Sequence, residues 1–205
     1  MKKLLIAATV AASCFAPQAF AQANDFAGFS VAANVNTATA ATKISGNGQS
    51  GQSFSLGESS ANASLQAAYG LTFSSNFVLG FGGTVALGDL KAGSLNYGQG
   101  SAFAIKATDM YSVYIEPGYP VSNSTLVYAK LAYLTMKGEF SSPNSSNMSQ
   151  DFDGIGYSVG IRAKLSKNIF LQAEFAQSDY NEVTKLGAAY KPSTTTGTVG
   201  LGYQF

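Results

Sequence analysis

The sequence predicts an all-β protein: an eight-stranded, antiparallel, up-and-down transmembrane β-barrel that follows an N-terminal signal peptide. Three observations support this fold class. Segments of about ten residues alternate apolar side chains with small or polar ones, which is the period of a β-strand. Short and long connections alternate between these segments, as in membrane barrels. Only 11% of the 205 residues are charged, whereas soluble domains carry roughly 25%.

The first 21 residues have the three parts of a secretory signal peptide. Lys2 and Lys3 provide the charged start, residues 4–12 the apolar segment, and Ala19-Phe20-Ala21 the cleavage site. The apolar run is too short to span a bilayer as a helix. We therefore divide the chain into a signal peptide, residues 1–21, and a barrel domain, residues 22–205.

Cysteine chemistry is not expected in the mature chain. Cys14 is the only cysteine, and cleavage after Ala21 removes it, so neither a disulfide nor a reactive thiol remains. The alternative, a lipoprotein cleavage site before Cys14, is a poor match because Ala11 stands where Leu is expected.

The barrel domain divides into eight predicted strands. Three short turns, 74–76, 120–124 and 166–168, alternate with four long connections that are rich in Gly, Ser, Thr and Asn. We predict the long connections as loops at 38–59, 88–101, 137–153 and 180–192. The strands are predicted at residues 25–37, 60–73, 77–87, 102–119, 125–136, 154–165, 169–179 and 193–205.

The composition of the two strand faces favours a membrane barrel over a soluble, lipocalin-like one. A soluble barrel must present a face dense in charges to water, whereas the polar face here is mostly Gly, Ala, Ser and Thr. Small residues suit the narrow lumen of an eight-stranded barrel. Asp109 interrupts the pattern and is expected at the headgroup level, while Ile105 is predicted to face lipid. The charged residues predicted to face the lumen are Lys106, Glu116, Lys130, Arg162, Lys164 and Glu174.

Aromatic residues are predicted to form two girdles around the apolar band. Tyr111, Tyr133 and Tyr157 each stand eight residues from the turn end of their strands, a rise of roughly 20 Å. Membrane barrels place such girdles on either side of an apolar band of about 25 Å. The girdle at the turn end is predicted to contain Phe73, Phe77, Tyr119, Tyr203 and Phe205.

Three stretches carry a resemblance to a known family. The end of the chain, Thr198 to Phe205, resembles the sorting signal of bacterial outer-membrane barrels, with Thr198, Gly200, Tyr203 and Phe205 in the signal positions. Leu165-Ser166-Lys167-Asn168-Ile169 resembles the last periplasmic hairpin of small barrels, and Glu116-Pro117-Gly118-Tyr119 the end of their fourth strand. The family is the group of the OmpA transmembrane domain, OmpX and Opa-like proteins.

The resemblance implies a location and a set of partners. It implies export through the general secretion pathway to the outer membrane of a Gram-negative bacterium, with both termini periplasmic and four loops outside. The expected partners are outer-membrane lipid, lipopolysaccharide, periplasmic chaperones and the β-barrel assembly machinery. The peptidoglycan-binding domain that follows the barrel in OmpA is expected to be absent, and the chain is expected to be a monomer.

Four charges are candidates for one cluster in the lumen. Glu116, Lys130, Arg162 and Glu174 lie on successive strands, each three to five residues from its turn end. One hypothesis is a gate or ion path; the other is a structural ion-pair network that plugs the barrel. We favour the structural network, because buried charges need partners and eight strands leave little lumen.

An enzymatic role is not expected. The chain contains no His, which excludes Ser/His hydrolysis, His-ligated metals and Asp/His proteolysis. A Ser–Lys pair using Lys130 stays open. We predict no catalytic, cofactor-binding or metal-binding residues and no cofactor. Nucleic acid is not expected as a partner, because 12 basic residues balance 11 acidic ones without a basic stripe.

Two functions remain from the sequence alone. The first is a structural or surface-interaction role, such as membrane integrity or adhesion to an extracellular ligand through the loops, with the lumen plugged by side chains. The alternative is a narrow channel for small or apolar solutes. Its partly apolar path would be lined by Met110, Tyr114, Tyr128, Leu134 and Met136.

Overall fold

A computed structural model describes residues 23–46, 53–74, 76–97, 101–142, 145–185 and 188–205. The predicted signal peptide, Cys14 and the turn residue Ser75 lie outside these residues. A 3₁₀ helix, Ala23–Phe26, comes first. Ten strands follow: β1 Gly28–Gly46, β2 Ser53–Ser74, β3 Phe77–Leu87, β4 Leu90–Tyr97, β5 Ser101–Ser122, β6 Thr125–Ser142, β7 Ser145–Lys164, β8 Ile169–Tyr180, β9 Val183–Lys185 and β10 Ala188–Gln204.

Eight of these strands form a closed antiparallel ring in the order β1-β2-β3-β5-β6-β7-β8-β10. Pairing of β10 with β1 closes the ring, with Val199 opposite Val35. The short strands β4 and β9 pair with β5 and β10 beside the ring. The predicted eight-stranded barrel is confirmed. We call the end that carries the short turns the turn end.

The prediction of four long loops is wrong over most of their length. β1 and β2 stay paired from Gly28 opposite Gly70 up to Ser45 opposite Ser53, and β6 pairs with β7 as far as Ser142 opposite Ser145. Ser, Thr, Asn and Gly favour turns as isolated residues. Here the neighbouring strand continues the hydrogen-bond ladder, so the pairing overrides local preference.

A β-bulge in β5 changes which residues face the lumen. Thr108 pairs with Lys137, but Tyr111 pairs with Thr135, so β5 has one extra residue. Asp109 takes a positive φ of 49° at this point. An extra residue inverts the in–out alternation. Lys106, predicted to face the lumen, is therefore exposed, and Ile105, predicted to face lipid, is only 6% exposed.

The remaining strand faces agree with the prediction. The outward side chains of the ring form an exposed apolar belt that includes Val35, Val113 and Val159. Tyr111, Tyr133 and Tyr157 are also exposed, at the outer edge of the belt. The exposed aromatics at the turn end include all five predicted ones, Phe73, Phe77, Tyr119, Tyr203 and Phe205.

The lumen is filled in three layers. An apolar layer at the turn end contains Ala23, Phe26, Val78, Leu126 and Tyr128. A polar layer lies above it. The third layer, at the far end, is again apolar and contains Ala38, Leu90, Ala107, Met136, Phe152 and Tyr180.

The described part of the chain contains no helix with the length and apolar character needed to cross a membrane.

Candidate functional site

The structure brings the four lumen charges into one cluster in the polar layer. Lys130 Nζ lies 2.5 Å from Glu174 Oε2 and 3.7 Å from Glu116 Oε2. Arg162 Nη2 lies 3.1 Å from Glu116 Oε1. The charges thus alternate in sign along a chain from Arg162 to Glu174, and two cations balance two carboxylates. We call these four residues the charge network.

Burial of the charge network is nearly complete. Three of its side chains are at most 8% exposed and Glu174 is 12% exposed. Each residue points inward because its strand alternates an apolar outward residue with an inward one, as between Ile161 and Arg162. Because these side chains are buried, each charge depends on its partners, since removing one leaves an uncompensated buried charge.

Amide side chains extend the charge network to the other side of the barrel. Gln172 accepts a hydrogen bond from Arg162 Nη2 at 3.3 Å. Its own Nε2 donates to Asn34 Oδ1 at 2.8 Å and to Gln66 Oε1 at 3.0 Å. Asn36 donates to Ser64 at 3.1 Å. The polar layer therefore spans the full width of the lumen.

The part these amides play in the polar layer was not predicted from the sequence. A signal was present, because Gln172 and Glu174 are two residues apart and must share a face. Asn34 and Gln66 also alternate with apolar neighbours. Which of these amides meet across the barrel could not be predicted from any one strand, because that depends on the register between strands.

Aromatic rings complete the contacts of the two cations. Lys130 Nζ lies 4.3 Å from the ring centroid of Tyr114, and Arg162 Cζ lies 4.8 Å from that of Phe170. Tyr128 donates a hydrogen bond to Glu174 Oε2 at 3.1 Å. Such cation–π contacts gain strength when the cation is desolvated.

Glycines on the facing strands make room for the inward rings. A Cβ added at Gly160 would overlap the ring of Tyr128, which lies directly opposite on β6. A Cβ at Gly202 would overlap Phe170 in the same way. The small residues that lined the predicted lumen are therefore complementary to large side chains on neighbouring strands.

A cavity of about 170 Å³, lined by both polar and apolar side chains, lies above the charge network, between it and the upper apolar layer. Lys130 and Glu174 line its floor, and Ser158, Thr135 and Leu134 line its wall. The hydroxyl oxygens of Ser158 and Thr135 are buried without a hydrogen-bond partner among the described residues. A cavity of this size, with these polar groups in its lining, has room for water that would satisfy the two hydroxyls.

The arrangement does not form a base-activated nucleophile. Ser158 stands opposite Lys130 in the β6–β7 register, but its hydroxyl makes no hydrogen bond to the ammonium. Lys130 is ion-paired with Glu174 instead, so it is not a free base. Within the described residues, no group of three or more His, Cys, Asp or Glu side chains could hold a metal ion.

Three residues of the predicted assembly signal, Thr198, Gly200 and Tyr203, lie on the closing strand β10, and the fourth, Phe205, follows it directly. Thr198 donates a hydrogen bond to Asn36 Oδ1 at 2.9 Å, and Gly200 pairs with Asn34. The rings of Tyr203 and Phe205 meet edge-on, with centroids 4.9 Å apart. The Phe205 amide donates to the Phe29 carbonyl at 2.9 Å, which fixes the end of the chain to β1.

Comparison with solved structures finds other outer-membrane barrels. The outer membrane protein OprG from Pseudomonas aeruginosa is 15% identical; the match covers 87% of this chain and 96% of that one, with a TM-score of 0.50. Ail of Yersinia pestis, solved with the heparin analogue sucrose octasulfate, is 15% identical over 85% of this chain and 99% of that one, with a TM-score of 0.48. The outer membrane protease OmpT from Escherichia coli is 10% identical over 86% and 96%, also at 0.48.

A search of curated proteins found no match. At 15% identity the likeness to OprG shows the fold alone. The family comparison extends further, because the model of the outer membrane protein beta-barrel domain matches residues 6–205. The chain therefore belongs to the outer membrane protein beta-barrel domain family and is located in the outer membrane of a Gram-negative bacterium.

Proposed function

We propose that the protein is a barrel anchor that displays a rigid β-sheet surface outside the cell, for adhesion or for contacts within the outer membrane. The observation that carries this proposal is strand length. β2 has 22 residues, which at about 3.3 Å each and a tilt of about 40° rise roughly 55 Å. A membrane band of about 25 Å uses less than half of that rise.

We call the paired strand segments beyond the outer tyrosines the crown. It consists of residues 37–46 and 53–62, strand β4, residues 101–109, 136–142 and 145–153, strand β9 and residues 188–196.

The outward face of the crown differs from that of the belt below it. On β1 the outward residue changes from Val35 to Thr37 and then to Thr39, whose hydroxyl meets that of Ser59 at 2.9 Å. Lys106 stands opposite Glu139, and both are exposed. A polar, hydrogen-bonding surface on a rigid scaffold suits binding outside the membrane.

The side chains that fill the lumen argue against the alternative function, a channel. Tyr114, Tyr128 and Met136 of the proposed path are at most 7% exposed, and the charge network closes the polar layer between them. We infer that the charge network is structural and that the barrel does not conduct. Liposomes containing the purified protein should then release no small sugar or ion faster than empty liposomes.

Two further inferences belong to this proposal. An enzymatic role is unsupported, because no His is present and the Ser158 hydroxyl makes no hydrogen bond to Lys130. The terminal strand is inferred to be the signal for the chaperones and assembly machinery, in a protein that works as a monomer in lipid and lipopolysaccharide. Deleting Phe205 should leave protease-sensitive protein in the periplasm; normal assembly after the deletion would contradict this inference.

Shortening the crown tests the display function. Gly138 pairs with Gln150, so residues 139–149 can be replaced by Asn-Gly, a preferred two-residue hairpin turn, without changing the register. We expect the barrel to remain heat-modifiable on gels while adherence of cells to immobilised matrix proteins falls. The control replaces the turn residue Asn123 by Ser and should leave adherence unchanged.

Entry of a hydrophobic dye into the cell envelope, measured on the same variants, separates adhesion from a role in membrane integrity. If shortened variants adhere normally but admit a hydrophobic dye into the cell envelope, the crown acts within the membrane. If neither adherence nor dye entry changes for any shortened hairpin, the display function is wrong.

A further inference from the structure

The N-terminal turn lies inside the turn end of the barrel. Ala23 and Phe26, the first and last residues of the 3₁₀ helix, are only 2% and 3% exposed. They pack against Val78 of β3 and Leu126 of β6. Leu126 is itself 1% exposed, so the turn packs on side chains that are buried inside the barrel.

Several contacts hold the turn in place. The Gln204 side-chain amide donates a hydrogen bond to the Ala27 carbonyl, and the ammonium of Lys164 lies 5.3 Å from the ring centroid of Phe26. Gly70 lies against the turn, where an added Cβ would be 2.6 Å from the Phe26 carbonyl oxygen. The wall of the barrel is thus shaped to admit the turn.

The layer directly above the turn belongs to the charge network. Tyr128 packs in the same cluster as Phe26, and its hydroxyl reaches Glu174. Arg162 Cζ lies 5.3 Å from the centroid of the Tyr128 ring. Only one layer of side chains therefore separates the turn from the buried charges.

We propose that residues 23–26 are a self-docked seal that excludes water and small ions from the turn end of the lumen. The wall does not need the turn, because pairing of β1 with β10 and β2 closes the ring from Gly28 onward. The seal can therefore leave without opening the barrel wall. Its departure would admit water to the apolar layer below the charge network, on the periplasmic side.

A buried cysteine beneath the seal tests the proposal. The full chain is expressed with Cys14→Ser, so that Val78→Cys introduces the only thiol. Val78 is 4% exposed and packs against Phe26. An impermeant maleimide should label the purified protein in micelles slowly. Phe26→Ala should raise the labelling rate about tenfold or more, because the reagent no longer has to wait for a rare departure of the turn to reach the thiol.

Matched variants separate the seal from general loosening. Phe29→Ala removes the same side chain three residues later, on the lipid-facing side, and should leave the labelling slow. Phe26→Leu keeps an apolar side chain in the turn. The thiol introduced by Val78→Cys should then be labelled nearly as slowly as in the protein that keeps Phe26. Gly70→Ala displaces the turn by a change in the barrel wall. The thiol should then be labelled as fast as in the Phe26→Ala variant.

Two outcomes would overturn the seal. Slow labelling in heat-modifiable Phe26→Ala and Gly70→Ala protein would show that the turn does not exclude solvent. Failure of both variants to form a heat-modifiable barrel would show that the turn is part of the wall, not a separable seal. Neither outcome bears on the crown, which lies at the opposite end of the barrel.

Discussion

Two ion pairs on β6 have the same chemistry in different surroundings. Lys130 Nζ lies 2.5 Å from Glu174 inside the lumen, and Lys137 Nζ lies 2.9 Å from Asp109 in the crown. The inner side chains are 8% and 12% exposed, the outer ones 39% and 67%. The two distances alone would suggest ion pairs of similar strength. The difference in burial predicts that breaking the inner pair destabilises the protein much more than breaking the outer one.

The difference comes from what replaces a lost partner. In the crown, water solvates the remaining charge, so an exposed pair contributes little to stability. In the lumen, the remaining charge stays between Tyr114, Tyr128 and its neighbours, where solvation by water is poor. A buried pair is therefore much more costly to break than it was stabilising to form.

The largest effect is expected from a single change in the charge network. Arg162→Gln leaves Glu116 with Lys130 as its remaining charged partner, 3.7 Å away. We expect a loss of roughly 3–5 kcal/mol in the free energy of unfolding, measured by urea unfolding in micelles. Lys191→Gln, which removes an exposed charge of the crown, is the control. Equal midpoints for the two variants would contradict burial of Arg162.

Double substitutions show which charges interact directly. Arg162→Gln with Glu116→Gln should cost less than the two single changes together, with a coupling of about 0.5–3 kcal/mol. Arg162 and Glu174 form no direct ion pair among the described residues and are linked through Glu116 and Lys130 and through Tyr128, so their coupling should be weaker. The same unfolding experiment gives both values, and the reverse order would contradict the observed pairing.

A packing change in the same layer should have an intermediate effect. Gly160→Ala places a methyl group in the space of the Tyr128 ring, which we expect to destabilise the barrel by about 1–3 kcal/mol. Gly197→Ala is matched, since it also lies in a ring strand but has open space at its Cβ. It should leave the urea midpoint nearly unchanged. A similar loss in both variants would indicate a general effect of Ala in these strands.

The sequence predicted the lumen charges because alternation assigns a face without any knowledge of neighbouring strands. Glu116, Lys130, Arg162 and Glu174 follow this rule within uninterrupted strand segments. Lys106 does not, because the bulge at Asp109 lies between it and the segment from which its face was counted. The anomalous charge at Asp109 was the available signal, but a headgroup position explained it equally well in the sequence.

The crown and the N-terminal turn could not be predicted for a different reason. Both depend on contacts between segments far apart in the chain. Residues 38–45, which are rich in Ala and Thr, form a strand because β10 and β2 pair with them on either side. Phe26 was counted with the first strand by its position, whereas its burial results from a pocket built by Val78 and Leu126.

The smallest effect is expected at the exposed pair of the crown. The hydrogen bond from Lys137 to Asp109, together with the negative charge of Asp109, raises the pKa of Lys137 above its ordinary value. Because the folded-state pKa is the higher one, this stabilisation is complete below the unfolded-state pKa and is lost as the pH rises through the raised value. Lys137→Gln should therefore lower the urea midpoint only slightly at pH 8 and low salt, and not at all once the pH exceeds the raised pKa. Added salt should also remove the difference, since exposed charges are screened. A loss at pH 8 as large as that of Arg162→Gln would mean that burial does not distinguish the two ion pairs.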